Sequence, residues 1–487
     1  MRPREREAAL AAILLVQACE ESDPEGRFLP HRLRESASQA VRTDADVPDA
    51  ARIAARAERL AGPLLTDHAS LRAARRASLA VIPAFPVFAA AVVFGLAADA
   101  LGARQRVSLL AFPLLGLLAW NFAVYLSLAL APLFAGSSPR AADALARVGL
   151  WLAGRRTRFA APEEARWLAS SLRRYAALSS RAFGALVAAR ARLLLHVGSL
   201  GFATGLVAGM YLRGLVLEYR ASWESTFLDP TAVSALLQIA LAPAAALLDA
   251  LRGSGETRAL LAPESVAALR APGSGPAALW IHLWALTALL GIGVPRALLA
   301  AFAARRARQL ARALEPPLEE PYYLRLRAAD RGEGMRVRVL PYSHRPSARA
   351  ADRLLELLHE LYGNRAQLTV AEPVAYGAEA ADAAPADARV LLFNLAQPPE
   401  QEVHGAWVEA VRDAGGAPLL VLLDEEPYLA RLGGDGAERL AQRRRAWERM
   451  LRAAGVAAAL LPAALDAEGR ALAGARAALA GLPEGAR

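Results

Sequence analysis

Four polar side chains in the last third of the sequence are best placed to do chemistry. Tyr342, His344, Asn394 and Asp424 each end or follow a short apolar run that is typical of a buried β-strand. Because the carboxyl ends of parallel strands meet at one edge of a sheet, we expect these side chains to share one surface. We predict a cytoplasmic surface for a protein partner there. His344 and the cluster at Asp424 also keep a hydrolase hypothesis open.

Several chemistries are excluded by residue types that the sequence lacks. All 57 of its Lys and Arg residues are Arg. Without Lys there is no Walker A loop, no Schiff-base or pyridoxal-phosphate site and no kinase-type lysine. No Gly-x-Gly-x-x-Gly motif follows the first predicted strand either, and the glycines at 433–436 lie in a loop before a helix. We therefore predict no catalytic residue and no cofactor.

Metal ligation is not expected, because the chain has one Cys and seven scattered His residues. No CxxC motif and no closely spaced His pair occurs among them. Residues 8–19 end in Val-Gln-Ala-Cys and resemble a lipoprotein signal that would lipidate Cys19. The acidic residues Glu5 and Glu7 argue against that interpretation, and we favour an amphipathic helix with a buried free Cys.

The composition predicts a membrane protein. Of 487 residues, 55% are hydrophobic and only 21% are charged, and the mean hydropathy of +0.25 is high for a soluble chain. The formal net charge of +10 comes from local Arg clusters rather than from one basic surface, so we expect no nucleic-acid partner. The lipid bilayer is the first predicted partner.

Four apolar stretches are long enough to span a bilayer as helices, since about 20 residues cross the hydrocarbon core. Two of them, residues 78–102 and 107–134, form a predicted hairpin; the third is 193–212 and the fourth begins at 276. We predict a membrane α-helical protein with four transmembrane helices and a C-terminal cytoplasmic α/β doubly wound domain.

Charge predicts the orientation. Residues 135–192 carry eleven Arg against three acidic residues, whereas 213–275 carry five Arg against six acidic residues. By the positive-inside rule the first segment is cytoplasmic and the second periplasmic, so both termini lie inside a bacterial inner membrane. Residues 230–248 form a fifth apolar stretch, which we interpret as an interfacial or re-entrant helix because a fifth span would place the Arg cluster after residue 296 outside.

These assignments divide the chain into eight predicted segments. They are an N-terminal helical cytoplasmic segment (1–77), a transmembrane hairpin (78–134), a basic amphipathic loop (135–192), the third span (193–212), a periplasmic loop with its interfacial helix (213–275), the fourth span (276–304), a linker (305–335) and the α/β domain (336–487). We expect the basic loop to be a pair of helices lying against the inner leaflet or, alternatively, a hairpin that packs on other cytoplasmic parts.

Two further groups of residues are predicted to form contacts. Gly201, Gly205 and Gly209 make a small-residue stripe on the third span, which favours close helix packing within the chain, with a partner or in a homo-oligomer. Asn121 and His196 lie inside spans, where we expect an interhelical hydrogen bond.

A candidate periplasmic interface follows the third span. Tyr219, Trp223 and Phe227 are its large aromatic residues, and the spacing of four between the last two predicts one face of a helix. The alternatives for this face are docking onto the membrane or residues 230–248, and sensing a periplasmic ligand.

The order of these parts resembles a proteobacterial inner-membrane protein family catalogued as a domain of unknown function. The resemblance is carried by residues 218–228, by 276–284 and by 321–323, and it extends over most of the chain. Genes of that family commonly neighbour one for a GTPase-like membrane protein. The resemblance therefore implies a GTPase-like partner and no established activity.

The sequence thus favours a non-enzymatic inner-membrane scaffold or signalling component that acts with a protein partner. The alternative is a transporter or channel subunit. We disfavour the alternative because no acidic residue or Arg lies centrally in a predicted span and because the spans are few and not repeated.

Overall fold

The protein is described by a computed structural model, in which the chain forms two compact units. Met1–Phe28 with Ala61–Leu314 make the first unit, and Leu29–Leu60 with Glu315–Arg487 make the second. The structure describes residues 2–41, 47–98, 106–110, 112–130, 162–253, 255–331, 334–363, 365–378, 384–413, 417–432, 436–463 and 468–479.

Helices dominate the chain before residue 335. They are α1 (Pro3–Glu21), α2 (His31–Gln39), α3 (Asp49–Asp67), α4 (Ala69–Leu79), α5 (Ala84–Ala97), α6 (Phe112–Leu130), α7 (Pro162–Val216), α8 (Pro230–Arg252), α9 (Glu256–Leu260), α10 (Pro263–Ala268), α11 (Ala278–Ala288), a π-helical turn (Leu289–Gly293), α12 (Val294–Arg312) and α13 (Pro321–Arg331). Helices α2 and α13 belong to the second unit, and α3 passes from the second unit into the first.

Helix α1 is buried on all sides along its apolar stretch, and Cys19 is inaccessible. It packs against α7, where the indole Nε1 of Trp167 donates to the Cys19 carbonyl at 3.3 Å. Glu7 is paired with Arg190 at 2.6 Å. The expected amphipathic helix is therefore corrected to a core helix, because a twelve-residue apolar run covers every face of a helix and needs neighbours all round.

Of the predicted pair of amphipathic helices in 135–192, the structure describes the part that contains the second helix, and that part is helical. Residues 162–192 are the beginning of α7, a single helix of 55 residues that is about 80 Å long at 1.5 Å per residue. Its apolar face, including Leu168, Leu172 and Tyr175, is buried. This packing agrees with the alternative in which the segment rests on other parts of the chain. Residues 135–161 lie outside the described part.

Within the described residues, three helical stretches are long and apolar enough to cross a membrane: Glu163–Val216, Pro230–Arg252 and Ala278–Arg312. A fourth is reached if Ala69–Leu79 and Ala84–Ala97 count as one span bent by 73°. The predicted span 78–102 is thus interrupted between Leu79 and Ala84, where Pro83 disfavours helical geometry at the residue before it. The second predicted span contains α6, a helix of 19 residues that is apolar over Leu115–Leu130, and residues 131–134 lie outside the described part.

A small sheet gathers the ends of the apolar helices. Its strands are β1 (Arg106–Ser108), β2 (Arg220–Ser222) and β3 (Gly275–Pro276), with β2 in the middle. Strand β1 lies between α5 and α6, β2 follows α7, and β3 precedes α11. A bridge between Trp223 and Arg270 extends the pairing. The chain between these two residues, which contains α8, therefore leaves the sheet and returns to it.

Helix α8 has defined ends. Its N-cap Asp229 accepts from the Ala232 N–H at 2.7 Å, Pro230 occupies the first turn, and Gly253 closes the helix with φ of 64°. The returning helices α9 and α10 run back along it: Asp249 accepts from the Thr257 N–H at 3.0 Å, and Ser234 donates to the Leu261 carbonyl at 2.6 Å.

The second unit contains a parallel five-stranded sheet. Its strands are β4 (Arg336–Pro341), β5 (Gln367–Val370), β6 (Ala388–Asn394), β7 (Leu419–Asp424) and β8 (Ala458–Leu461), in the spatial order β5-β4-β6-β7-β8. The helices around it are α14 (Ala348–Tyr362), α15 (Ala406–Asp413), α16 (Glu426–Leu429), α17 (Ala437–Ala453) and α18 (Glu468–Leu479), with a π-helical turn at Gln401–Gly405.

Alternating strand residues point to two separate cores. Helices α14 and α18 pack on one face of the sheet, and α15 and α17 pack on the other. Leu324 and Ala328 of α13 belong to the first core, and Asp49 of α3 pairs with Arg327 at 2.5 Å. The unit therefore begins before the predicted boundary at 336 and includes residues from the N-terminal segment, which only their packing reveals.

Candidate functional site

The carboxyl ends of β4 and β7 bring together His344 and Asp424 of the predicted partner surface. His344 Nε2 lies 2.8 Å from an Asp424 carboxylate oxygen, and Asp424 is 1% exposed. The second Asp424 oxygen accepts from the Glu426 N–H at 3.1 Å. Ser343, with a φ of 47°, turns the chain between β4 and His344, and its carbonyl accepts from Gln397 at 3.1 Å. The pair is thus held in a defined geometry.

The two carboxylates after Asp424 are matched by cations of the same unit. Glu425 pairs with Arg444 at 2.5 Å. Glu426 pairs with Arg353 and accepts from the Ser347 hydroxyl at 3.0 Å. Burial alone would raise the pKa of Glu426, but the hydrogen bonds from Arg353 and Ser347 and the charge of Arg353 together lower it. These ion pairs hold the carboxylates in a fixed geometry. We call the edge of the sheet that carries Asp424, Glu425 and Glu426 the acidic edge.

The other two predicted residues have different roles. Tyr342 is fully buried, its ring contacts those of Phe393, His404 and Trp407, and its hydroxyl accepts from the Gly377 N–H at 2.8 Å. It is a core residue rather than part of a surface. Asn394 is the neighbour of Asp424 across the sheet, and its side chain accepts from the Ala396 N–H at 2.8 Å to hold the turn.

His404 is a buried titratable group that the sequence did not single out. It is completely buried, its ring contacts Phe393 and Trp447, and its Nδ1 accepts from the Glu400 N–H at 3.2 Å. Burial lowers the pKa of His404, an effect that Glu400 only partly opposes. A single His on an apolar helix face carries no sequence signal beyond that of a core residue.

In the first unit the three predicted glycines lie against α5. A Cβ on Gly201 would come within 2.6 Å of the Phe88 carbonyl oxygen, and one on Gly209 within 3.4 Å of the Leu96 carbonyl. A Cβ on Gly205 would lie closer still to the Val92 backbone. In the same way, a Cβ on Gly95 of α5 would meet the backbone of α7. The glycine stripe could have packed within the chain, against a partner or in a homo-oligomer. In the structure it packs against a helix of the same chain.

The predicted periplasmic interface is not one helix face. Tyr219 and Trp223 flank strand β2, and the buried indole of Trp223 donates to the Val266 carbonyl at 2.7 Å. Phe227 is 95% exposed. The helical spacing prediction is wrong because residues 220–222 pair with β1 and β3 instead. Trp223 stabilises the fold, and only Phe227 remains available to a membrane or a partner.

A polar cluster inside the first unit joins residues that the sequence left apart. Arg296 is 3% exposed. Its Nε donates to the Asn121 side-chain oxygen at 2.7 Å, its Nη1 lies 3.0 Å from His196 Nδ1, and its guanidinium stands over the Tyr125 ring at 5.2 Å. Three helices, α6, α7 and α12, thus meet at one buried cation, directly after the π-helical turn.

Arg296 stands near the end of the predicted fourth span (276–304), but its side chain is buried in this cluster and does not join the basic residues that begin at Arg305. Residues 297–304 are apolar without exception, and this continuation of the run was the available signal. The interhelical hydrogen bonds predicted for Asn121 and His196 are confirmed, and both side chains accept from Arg296 of α12. Arg296 is thus a buried Arg among apolar helices, although no Arg was expected centrally in a span.

An apolar groove of about 620 Å³ lies between α7, α8 and α11. Leu200, Val207, Leu248 and Leu286 are among the side chains that line it. Polar groups are few there, and two of them, the Tyr211 hydroxyl and His282 Nδ1, are 2.8 Å apart.

Comparison with known proteins gives no match to a family model, a curated protein or a solved structure. Among the residues that the structure describes, no group of three or more His, Cys, Asp or Glu side chains could hold a metal ion. The candidate sites therefore have to be interpreted from their own geometry.

Proposed function

We propose that this protein is a non-enzymatic scaffold or signalling component of a bacterial inner membrane, whose α/β domain binds a protein partner in the cytoplasm. Large apolar side chains on the outside of the first unit support the membrane part. Examples are Phe94 on α5, Phe122 on α6 and Phe302 on α12, each about two-thirds exposed or more. Such surfaces are stable only in contact with lipid or another apolar partner.

The small sheet supports four spans in this proposal. Because β1, β2 and β3 adjoin the ends of α5, α6, α7 and α11, those four helix ends lie on the same side. The chain would then cross the membrane at α5, α6, α7 and α11, and both termini would lie on the opposite side, in the cytoplasm by the positive-inside rule.

Helix α8 is interfacial or re-entrant in the same proposal, although it is long enough to cross. The segment returning from its end contains α9 and α10, which are too short to span and carry the exposed charges Arg258 and Glu264. A single crossing by α8 would separate Trp223 from Arg270, which are bridged. On its outer face, Ile239 and Leu251 remain exposed for lipid.

The acidic edge of the α/β domain is the proposed binding site for the protein partner. The strand order, which reverses at β4, and the helices on both faces support a doubly wound arrangement, in which this edge is the binding side. Asp424, Glu425 and Glu426 occupy it, and each is paired with His344, Arg444 or Arg353 of the same unit. A surface whose charges are already paired and fixed suits a protein contact better than a nucleotide.

The resemblance to the inner-membrane family suggests a GTPase-like partner. A charge reversal at the acidic edge tests whether that partner binds there. Arg345 forms an exposed ion pair with Glu372 at the same edge, and Arg345→Glu should weaken binding of the purified neighbour-encoded partner to the full-length protein in detergent. The matched control Arg449→Glu changes an exposed residue near the end of α17, at the opposite edge. Equal binding by both variants would place the partner elsewhere.

A transporter or channel subunit is the second candidate, and Arg296 is the observation that favours it. Charged groups buried among membrane helices commonly mark a substrate path. Anion flux into liposomes that contain the purified protein tests this candidate. Flux that Arg296→Gln abolishes would favour transport over the scaffold, and an absence of flux would favour the scaffold.

A further inference from the structure

The charge of Arg296 is not balanced by the part of the chain that the structure describes. No carboxylate among those residues lies within ion-pair distance of Arg296, and its contacts are the neutral side chains Asn121, His196 and Tyr125. A buried cation without a counter-charge is costly in an apolar environment. An anion that accompanies the guanidinium would remove that cost.

The hydrogen-bonding groups of this cluster are mostly donors. A guanidinium has five N–H donors, and only two contacts to acceptors, Asn121 Oδ1 and His196 Nδ1, are found among the described residues. Because Arg can only donate, His196 Nδ1 must accept, which leaves the His196 hydrogen on Nε2. Beyond its proximity to Arg296, the buried Tyr125 hydroxyl makes no hydrogen bond to another described side chain. The cluster therefore has more donors than acceptors.

The surface around the cluster differs between the two helices. Exposed apolar residues continue past it on α12 to Phe302. On α7 the exposed Leu195 is adjacent to His196, and Arg192 is exposed one helical turn away. Because an exposed cation favours the headgroup region of a bilayer, lipid phosphates in the proposed orientation would lie close to the α7 side of the cluster.

We propose that Arg296, with His196 and Tyr125, binds a phosphate group. The planar guanidinium fork matches two oxygens of a phosphate, and Tyr125 and His196 supply further donors for the others. The phosphate can belong to a lipid headgroup or be free in solution, because the chemistry of recognition is the same. The inference does not depend on which partner the α/β domain binds.

The test measures thermal unfolding of the full-length protein in a phosphate-free detergent. Inorganic phosphate is titrated in one arm and phosphatidylglycerol in mixed micelles in the other, with diacylglycerol as the phosphate-free lipid control. We expect a saturable rise in Tm in at least one arm and none with diacylglycerol, because a ligand of the native state stabilises it by mass action. The arm that responds identifies the source.

Three variants locate the site. Arg296→Gln should abolish the rise, whereas Arg192→Gln, which changes an exposed cation nearby, should retain it. Tyr125→Phe should keep the rise but increase the half-saturating concentration about fivefold, as expected for the loss of one hydrogen bond. The Tyr125 variant keeps the test decisive even if Arg296→Gln does not fold. No rise in either arm, or an equal response in all variants, would overturn the proposal.

Discussion

At the scale of single residues, close packing and burial give the clearest consequences. Gly205 lies against the backbone of α5 at Val92, with no room for a side chain. His404 is enclosed by aromatic rings in the second unit. Both residues affect stability: Gly205 through its close approach to α5, and His404 through its burial.

Gly205→Ala should destabilise the helix pair α5 and α7, because the added methyl group meets backbone that cannot move without separating the helices. Overpacking of this kind costs about 1–3 kcal/mol, which detergent-based unfolding measurements can resolve. Gly198→Ala is the matched control on the same helix, since its Cβ would lie 3.7 Å from Val87. Equal stability of the two variants would contradict the packing of the stripe.

Burial lowers the pKa of His404, so the folded protein favours the neutral imidazole. The corresponding stability is complete above the pKa of an exposed His, near 6.5, and is lost as the pH falls toward the lower pKa of the folded state. We expect the second unit to lose stability as the pH falls from 7.5 to 5.5.

His404→Phe should remove most of that pH dependence, whatever it does to stability at neutral pH. His359→Gln, which replaces a partly exposed histidine of the same unit, should keep the pH dependence. Differential scanning fluorimetry of the full-length protein at both pH values follows the transition. An unchanged slope in His404→Phe would show that another group titrates.

At the scale of elements, the small sheet decides how the apolar helices are connected. Strands of two or three residues hold the ends of α5, α6, α7 and α11 together. The excursion through α8 starts and finishes at this sheet. The apolar length of α8 therefore does not by itself make it a span.

Impermeant maleimide labelling tests the placement of α8 in intact cells. In a Cys19→Ala background, Leu228→Cys before α8 and Glu256→Cys after it should both react from the periplasmic side. Arg445→Cys, at an exposed position of α17, should react only after the cells are opened. Reaction of the two α8 positions from opposite sides would establish a fifth crossing.

Reporter fusions at residue 260 and at the C-terminus provide an independent check of the same topology. The two reporters should lie on opposite sides of the membrane, with residue 260 in the periplasm. Finding both on the same side would overturn the four-span proposal.

At the scale of the whole molecule, the second unit combines segments that are far apart in sequence. Helix α13 and residues 29–60 belong to it together with the five-stranded sheet. A fragment cut at the predicted boundary of 336 would expose the side of the core that Leu324 and Ala328 cover.

A fragment of residues 315–487 should therefore unfold cooperatively and at a higher temperature than residues 335–487. Losing two buried side chains costs about 2–5 kcal/mol. Adding a peptide of residues 29–60 should stabilise the longer fragment further, and Asp49→Ala in that peptide should reduce the effect. Equal melting temperatures for the two fragments would show that α13 contributes nothing to this unit.

GTP or ATP with magnesium should leave the melting temperature of residues 315–487 unchanged. The acidic edge lacks the glycine-rich cradle and Lys that triphosphates usually require, and a ligand of the native state would raise the transition. A nucleotide-dependent rise would move this unit into the class of enzymes or switches.

Local patterns in the sequence determined a large part of this architecture. The apolar runs of α7 and α11 with α12, the spacing of Gly201, Gly205 and Gly209, and the alternation of strands and helices after residue 336 are periodic signals. Periodicity follows from the geometry of one helix or one strand, so it can be predicted before any tertiary contact is known. The neighbouring positions of His344 and Asp424 followed from the same reasoning, because parallel strands end at one edge.

Only the tertiary structure decided which of these elements meet. The strands β1, β2 and β3 are too short to show alternation, and their pairing partners lie far apart in the chain. The burial of α1 depends on the face that α7 presents to it. Arg296 changes from the end of a span to the centre of a polar cluster because α6 and α7 bring Asn121 and His196 to it, and contacts between distant residues leave no periodic trace in a single sequence.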